Sequence, residues 1–163
     1  MKVMIFLGSE SDFEVIEDAV RTLKDFGVPF ALEVTSAHRS PERTVNLVRE
    51  AEAQGAGVFI AVAGKAAHLA GVVAAHTVRP VIGVPVESAA LAGMDALLST
   101  VQMPKGVPVA TMGLGKHGGA NAALLAVEIL ALGDEGLAKK LADHRARMAA
   151  SVETASKKIQ EKL

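Results

Sequence analysis

Three short segments hold the residues best suited to chemistry. In "SAHRS" (36–40) a histidine and an arginine stand side by side. Histidine titrates near neutrality, so His38 is a candidate for moving a proton. An arginine fork grips a phosphate or carboxylate in a bidentate pair, so Arg39 is a candidate anion ligand, with the hydroxyl of Ser36 nearby. In "GSESD" (8–12), Gly8 permits a tight turn, and Ser9 and Ser11 offer hydroxyls. Asp12 heads a helix, where free N–H groups and the helix dipole favour an anion such as phosphate. The same residue types are ordinary helix caps, and that reading stays open. The segment is neither a Walker loop nor G-x-G-x-x-G. In "AGKAAH" (63–68), Gly64 and Ala66 are small enough to let a ligand approach the backbone closely. His68 falls in the first turn of the helix that follows. Plain helix packing, with His68 a satisfied polar residue, is the alternative there.

These segments need a scaffold that brings them together. Short apolar runs alternate with helical patterns along the chain. Strands are expected over 2–7, 29–35, 57–62, 80–84 and 108–110. Helices are expected over 12–26, 41–54, 66–77, 91–100 and 120–131. Gly27 is a stop signal for the first helix. Ser40 and Pro41 form a cap and first turn for the second. Strands apolar throughout are those buried on both faces, as in a parallel sheet. The alternation therefore predicts a doubly wound α/β three-layer sandwich of flavodoxin-like order 2-1-3-4-5. In such sheets ligands bind outside the carboxyl ends of the strands, where strand order reverses. All three segments follow strands that flank that point.

Residues 1–163 read as one domain, and half of them are hydrophobic, enough for a full core. Aromatics make up only 3%, with no Trp or Tyr, so the core is aliphatic and Ala-rich. A net charge of −1 supplies no long-range field toward nucleic acid or a membrane surface. The absence of cysteine excludes disulfides and thiolate metal sites and fits a cytoplasmic location. The apolar start is too short for a signal peptide or a spanning helix. After Gly133 a polar helix, 134–163, carries a stripe of Leu137, Leu141, Met148, Val152, Ile159 and Leu163. That extension needs its own domain or a neighbouring subunit to pack against. Other histidines carry less. His76 suits a helix C-terminus, His144 falls on the surface of the tail helix, and "KHGGAN" (116–121) reads as a flexible turn around His117. The methionines read as core filler. No His/Asp/Glu cluster has metal-ligand spacing.

Taken together, "GSESD", "SAHRSPE", "AGKAAHLAG", the long stretch "PVIGVPVESAALAGMDALLSTVQMPKGVPVAT" and "GKHGGANAALLAVEILA" resemble the PurE family of purine biosynthesis over residues 3–132. Within that family they are most similar to the mutases. Those enzymes move a carboxylate from the exocyclic nitrogen of 5-(carboxyamino)imidazole ribonucleotide to a ring carbon, giving carboxyaminoimidazole ribonucleotide. The resemblance implies a homo-octamer in the cytoplasm, a nucleotide substrate, no metal or organic cofactor, and no nucleic-acid or membrane partner. It implies that His38 is catalytic and that Ser9, Ser11 and Asp12 bind the nucleotide, Asp12 through the ribose hydroxyls. Ser36 and Arg39 would hold the phosphate. Gly64, Ala66, His68 and Leu69 would belong to the loop that closes over the imidazole and carboxylate.

Two positions depart from the mutase pattern. Lys65 stands where these enzymes usually carry glycine, and Ala70 where they carry proline. A second class in the family, which carboxylates aminoimidazole ribonucleotide directly with CO₂, has a basic residue at the Lys65 position but lacks the His68-Leu69 pair. The mutase is therefore expected, with Lys65 carrying its ammonium out to water on a flexible stem. Outside the family, two further readings are a non-catalytic nucleotide-binding module, favoured if His38 turned away from the other loops, and an FMN carrier. The lack of Trp and Tyr to stack on a flavin argues against the carrier.

Overall fold

In the structure, a computed structural model that describes residues 3–88 and 90–163, five parallel strands form one sheet. They are β1 (Val3–Leu7), β2 (Phe30–Val34), β3 (Val58–Gly64), β4 (Val81–Val86) and β5 (Ala110–Thr111), in the order β2-β1-β3-β4-β5. The helices are α1 (Phe13–Phe26), α2 (Pro41–Ala53), α3 (Leu69–Ala75), α4 (Met94–Val101), α5 (Gly115–Ala131) and α6 (Glu135–Gln160). The expected class and strand order are those observed.

Alternation along β1 and β3 divides the core into two layers. Val3, Ile5, Leu7, Ile60 and Val62 face α1 and α5, packing with Ile16, Leu23, Ala122 and Ala126. Met4, Phe6, Phe59 and Ala61 face the other side, packing with Val48, Leu69 and Val73. Phe6 and Phe59 stack with ring centroids 6.0 Å apart. Each fully buried large aliphatic side chain contributes roughly 1.5–3 kcal/mol. Helix α1 buries Ile16, Ala19, Leu23 and Phe26, a stripe of helical spacing. It stops at Gly27, whose φ of 72° lets the Val28 N–H reach back to the Leu23 carbonyl.

The fifth helix begins earlier than the sequence suggests. Residues 116–121, expected to be a flexible turn, are its first turns. Their glycines serve close packing rather than turning. A Cβ on Gly119 would lie 2.2 Å from the Val15 carbonyl oxygen, and one on Gly118 would lie 1.7 Å from that of Gly113. Only glycine lets α5 lie against α1 this closely. The third helix begins later than expected, at Leu69, which leaves 65–68 as an irregular loop.

Helix α6 is anchored at its start. The Asp134 side chain accepts from the Leu137 N–H at 3.1 Å, an ordinary N-cap. Leu137 is buried, and the Lys140 ammonium donates to the Phe26 carbonyl at the end of α1 at 2.7 Å. His144, expected on the surface, is half-buried with its ring against Phe26, because α6 crosses the end of α1. Further along, Met148, Val152 and Ile159 are 50%, 69% and 58% exposed.

Candidate functional site

The strand register brings the loops to one edge. Leu7 at the end of β1 stands level with Val34 on one side and Val62 on the other, and Gly64 with Val86. The four loops that follow therefore leave the sheet together. They enclose a pocket of about 700 Å³.

The first loop turns tightly because the Gly8 N–H donates to the Val62 carbonyl at 2.9 Å, and the chain then makes one 3-10 turn, Glu10–Asp12. Neither Ser9 nor Asp12 caps a helix through its side chain. Ordinary capping therefore does not account for them. Ser9, Ser11 and Asp12 line the pocket, with the hydroxyls of Ser9 and Ser11 3.0 Å apart. Asp12 is only 7% exposed. Burial pushes its carboxyl above the usual carboxylate range, and a hydrogen bond from the Ser9 backbone N–H offsets part of that.

The second loop is closed by Ser40. Its side chain does not cap α2, as the sequence suggested. It accepts from the Ser36 N–H at 3.0 Å, while its own N–H donates to the Ser36 carbonyl at 2.9 Å. Behind it, Thr35 and Thr44 are hydrogen-bonded at 2.8 Å in the buried base. Arg39 is tied down: its N–H and Nε donate to the Ser36 hydroxyl at 3.1 and 3.4 Å, and one terminal nitrogen donates to the Gly8 carbonyl at 3.3 Å. The guanidinium thus joins the first and second loops. Ser36, His38 and Arg39 all line the pocket. His38 is not turned away, so the observation that would have favoured a non-catalytic module is missing.

The third loop makes two tight turns in succession. The Ala67 N–H donates to the Lys65 carbonyl at 2.9 Å and the His68 N–H to the Ala66 carbonyl at 2.8 Å. The Ser99 hydroxyl on α4 also accepts from the Ala67 N–H, at 2.9 Å. Gly64, Ala66 and Leu69 line the pocket. His68 precedes α3 rather than lying inside it, and it reaches the site through another side chain. Its Nδ1 is 2.8 Å from His38 Nε2, and the two rings meet edge to face with centroids 4.9 Å apart.

Residues beyond the three segments also line the pocket. Val86, Glu87 and Ser88 enter from the end of β4. The available signal was positional, since they follow the strand beside β3 at the same sheet edge. Lys65 lines the pocket too, although exposed, where the sequence suggested a side chain carried away to water. Among the described residues no group of three or more His, Cys, Asp or Glu is arranged to hold a metal ion. None of the described helices is long and apolar enough to cross a membrane.

Fold and site together define a flavodoxin-like α/β protein with a histidine pair and an anchored arginine at the carboxyl edge of its sheet. The chain belongs to the AIR carboxylase family, whose model matches residues 2–151. It is 54% identical over 159 residues to the N5-carboxyaminoimidazole ribonucleotide mutase of Methanocaldococcus jannaschii, which covers 98% of either chain. It is 52% identical over 143 residues to the mutase of the same name from Bacillus subtilis, 88% of either chain. The crystal structure of Treponema denticola PurE matches with a TM-score of 0.87 at 32% identity, covering 96% of each chain.

Proposed function

We propose that this protein is a 5-(carboxyamino)imidazole ribonucleotide mutase of purine biosynthesis. It would move the carboxylate from the exocyclic nitrogen to the ring carbon. The observation that carries the reading is the meeting of His38 with His68, beside Asp12 and Arg39, in a pocket of about 700 Å³ large enough for a nucleotide. The high identity to enzymes of that name over most of the chain supports it.

The reaction divides into two proton transfers. His38, protonated, delivers its proton to the exocyclic nitrogen as the N–C bond to the carboxylate breaks, releasing CO₂ in the pocket. The bonding pair stays on nitrogen. The ring carbon then attacks CO₂, and His38 takes the proton that this carbon loses. Nothing is gained or lost overall, so the step is an isomerisation. CO₂ must be kept from escaping between the two halves, a task suited to the small residues Gly64 and Ala66. Arg39 holds the phosphate with Ser36, and Ser9 and Ser11 line the nucleotide's path. The buried Asp12 accepts from the ribose hydroxyls. The hydrogen bond between His38 and His68 orients the His38 ring, and Leu69 belongs to the loop that closes over the imidazole.

The protein is further read as a cytoplasmic homo-octamer that needs no metal or organic cofactor and acts on a nucleotide rather than on nucleic acid or membrane. The apolar stripe left exposed on α6 supports self-association. The deciding experiment supplies the carboxylated nucleotide, or aminoimidazole ribonucleotide, each with and without bicarbonate. Conversion of the first without added bicarbonate is expected. Activity only on the second, and only with bicarbonate, would replace the mutase with the direct carboxylase.

A further inference from the structure

Lys65 is one of two non-glycine residues with positive φ among the described residues, at 56°. That left-handed conformation is one glycine adopts freely and a side chain resists. Such conformations persist where the surroundings over-determine them, and they concentrate at functional sites. Here the surroundings are explicit. The Lys65 carbonyl accepts from the Ala67 N–H at 2.9 Å, and Ser99 on α4 holds that same N–H at 2.9 Å. The side chain therefore leaves from a fixed point on the pocket wall. Among the described residues its ammonium has neither an ion-pair nor a hydrogen-bond partner.

The pocket's other lining cation, Arg39, is different. It is bound to the Gly8 carbonyl and the Ser36 hydroxyl, between the first and second loops. Lys65 stands on the third loop, three residues before the histidine that touches His38. Among the described residues the pocket thus offers one anchored cation on one side and one unpaired cation on the loop that reaches the proton-transfer histidine. A nucleotide that carries a phosphate and a carboxylate has two anionic ends to match. A planar fork suits the phosphate, while a mobile point charge suits a carboxylate that changes its position during the reaction.

We propose that Lys65 binds the carboxylate of the carboxylated nucleotides, substrate and product, and so separates them from the uncarboxylated one. This rests on the mutase reading above. Its test is calorimetric titration of the wild type, Lys65→Met and Lys65→Arg with carboxyaminoimidazole ribonucleotide and, separately, with aminoimidazole ribonucleotide. Lys65→Met is expected to weaken the carboxylated ligand about 2- to 5-fold, the range for an ion pair open to water, and to leave the uncarboxylated ligand unchanged. Lys65→Arg, which keeps the charge, should restore most of the loss. Equal weakening of both ligands would assign Lys65 to the phosphate and overturn the proposal. No change in either would overturn it as well. A wild type that bound neither nucleotide would instead overturn the mutase reading, which keeps the two failures apart.

Discussion

His38 Nε2 lies 2.8 Å from His68 Nδ1, although 30 positions separate the two residues in the chain. Such a contact needs one ring nitrogen to donate and the other to accept. The second histidine therefore holds the first in one orientation and couples the tautomers of the two rings. His38→Asn should fold and bind nucleotide while losing about 100- to 10,000-fold in turnover, the usual range for a lost acid–base group. Single-turnover kinetics with the carboxylated nucleotide would check this. Near-normal turnover would remove His38 from the proton-transfer role.

Arg39 is held by Gly8 and Ser36 before any ligand arrives, which lowers the cost of ordering it on binding. In the proposed role it contacts the phosphate and takes no part in the bond changes. Arg39→Ala should raise KM by the equivalent of roughly 1.5–3 kcal/mol while kcat changes little. Arg39→Lys should recover only part of the loss, because a point charge cannot make the bidentate pair. An unchanged KM in Arg39→Ala would count against phosphate binding.

Asp12 links function to stability through pH. Burial raises its carboxyl above the ordinary value of 3.8 in the folded state. Above that raised value the group is charged in both states, and its burial opposes folding. As pH falls through the folded-state value, the native protein takes up a proton and the penalty shrinks; below 3.8 it is gone. Asp12→Asn should therefore be more stable than the wild type at neutral pH, with a difference that narrows on acidification, and should bind nucleotide more weakly. Urea unfolding at several pH values measures the first effect. A variant less stable than the wild type at neutral pH would show that Asp12 gains more from its partners than it loses by burial.

Gly119 tests the packing that sets the position of the first loop. A methyl there would meet the Val15 carbonyl oxygen at 2.2 Å. Alanine favours a helix by about 1 kcal/mol over glycine. Forcing α1 and α5 apart typically costs about 1–3 kcal/mol, and here the obstacle is backbone, so the cost should win. Gly119→Ala should lower the urea midpoint. A raised midpoint would mean that the two helices can separate freely.

The exposed stripe of α6 predicts self-association. Light scattering at micromolar concentration should find an oligomer, an octamer on the family resemblance. A stable monomer would exclude that reading. Replacing Met148, Val152 and Ile159 by polar residues should shift the distribution toward smaller species if the stripe lies at a subunit contact.

Most of the architecture was legible in the sequence because its signals are local. Continuous apolar runs marked strands buried on both faces, and their alternation with helical patterns implied a parallel sheet in the order observed. Gly27 marked the end of α1 because only a left-handed residue closes that helix. His38, Arg39, Asp12 and Gly64 were legible as candidates because each ends or follows a strand at the ligand-binding edge. What the sequence could not supply is which side chain meets which. Sheet register, set by the burial of whole strands, carries His68 to His38 and brings Glu87 and Ser88 into the same pocket. Turn glycines and packing glycines look alike in sequence, and only the folded chain, which lays Gly113 against Gly118 and α1 against Gly119, distinguishes the two. Lys65 stood out in the sequence as a departure from the mutase pattern, but its side chain was expected to run out to water. Its left-handed φ and its place on the pocket wall follow from hydrogen bonds along the third loop and to α4, contacts that exist only once the chain has folded.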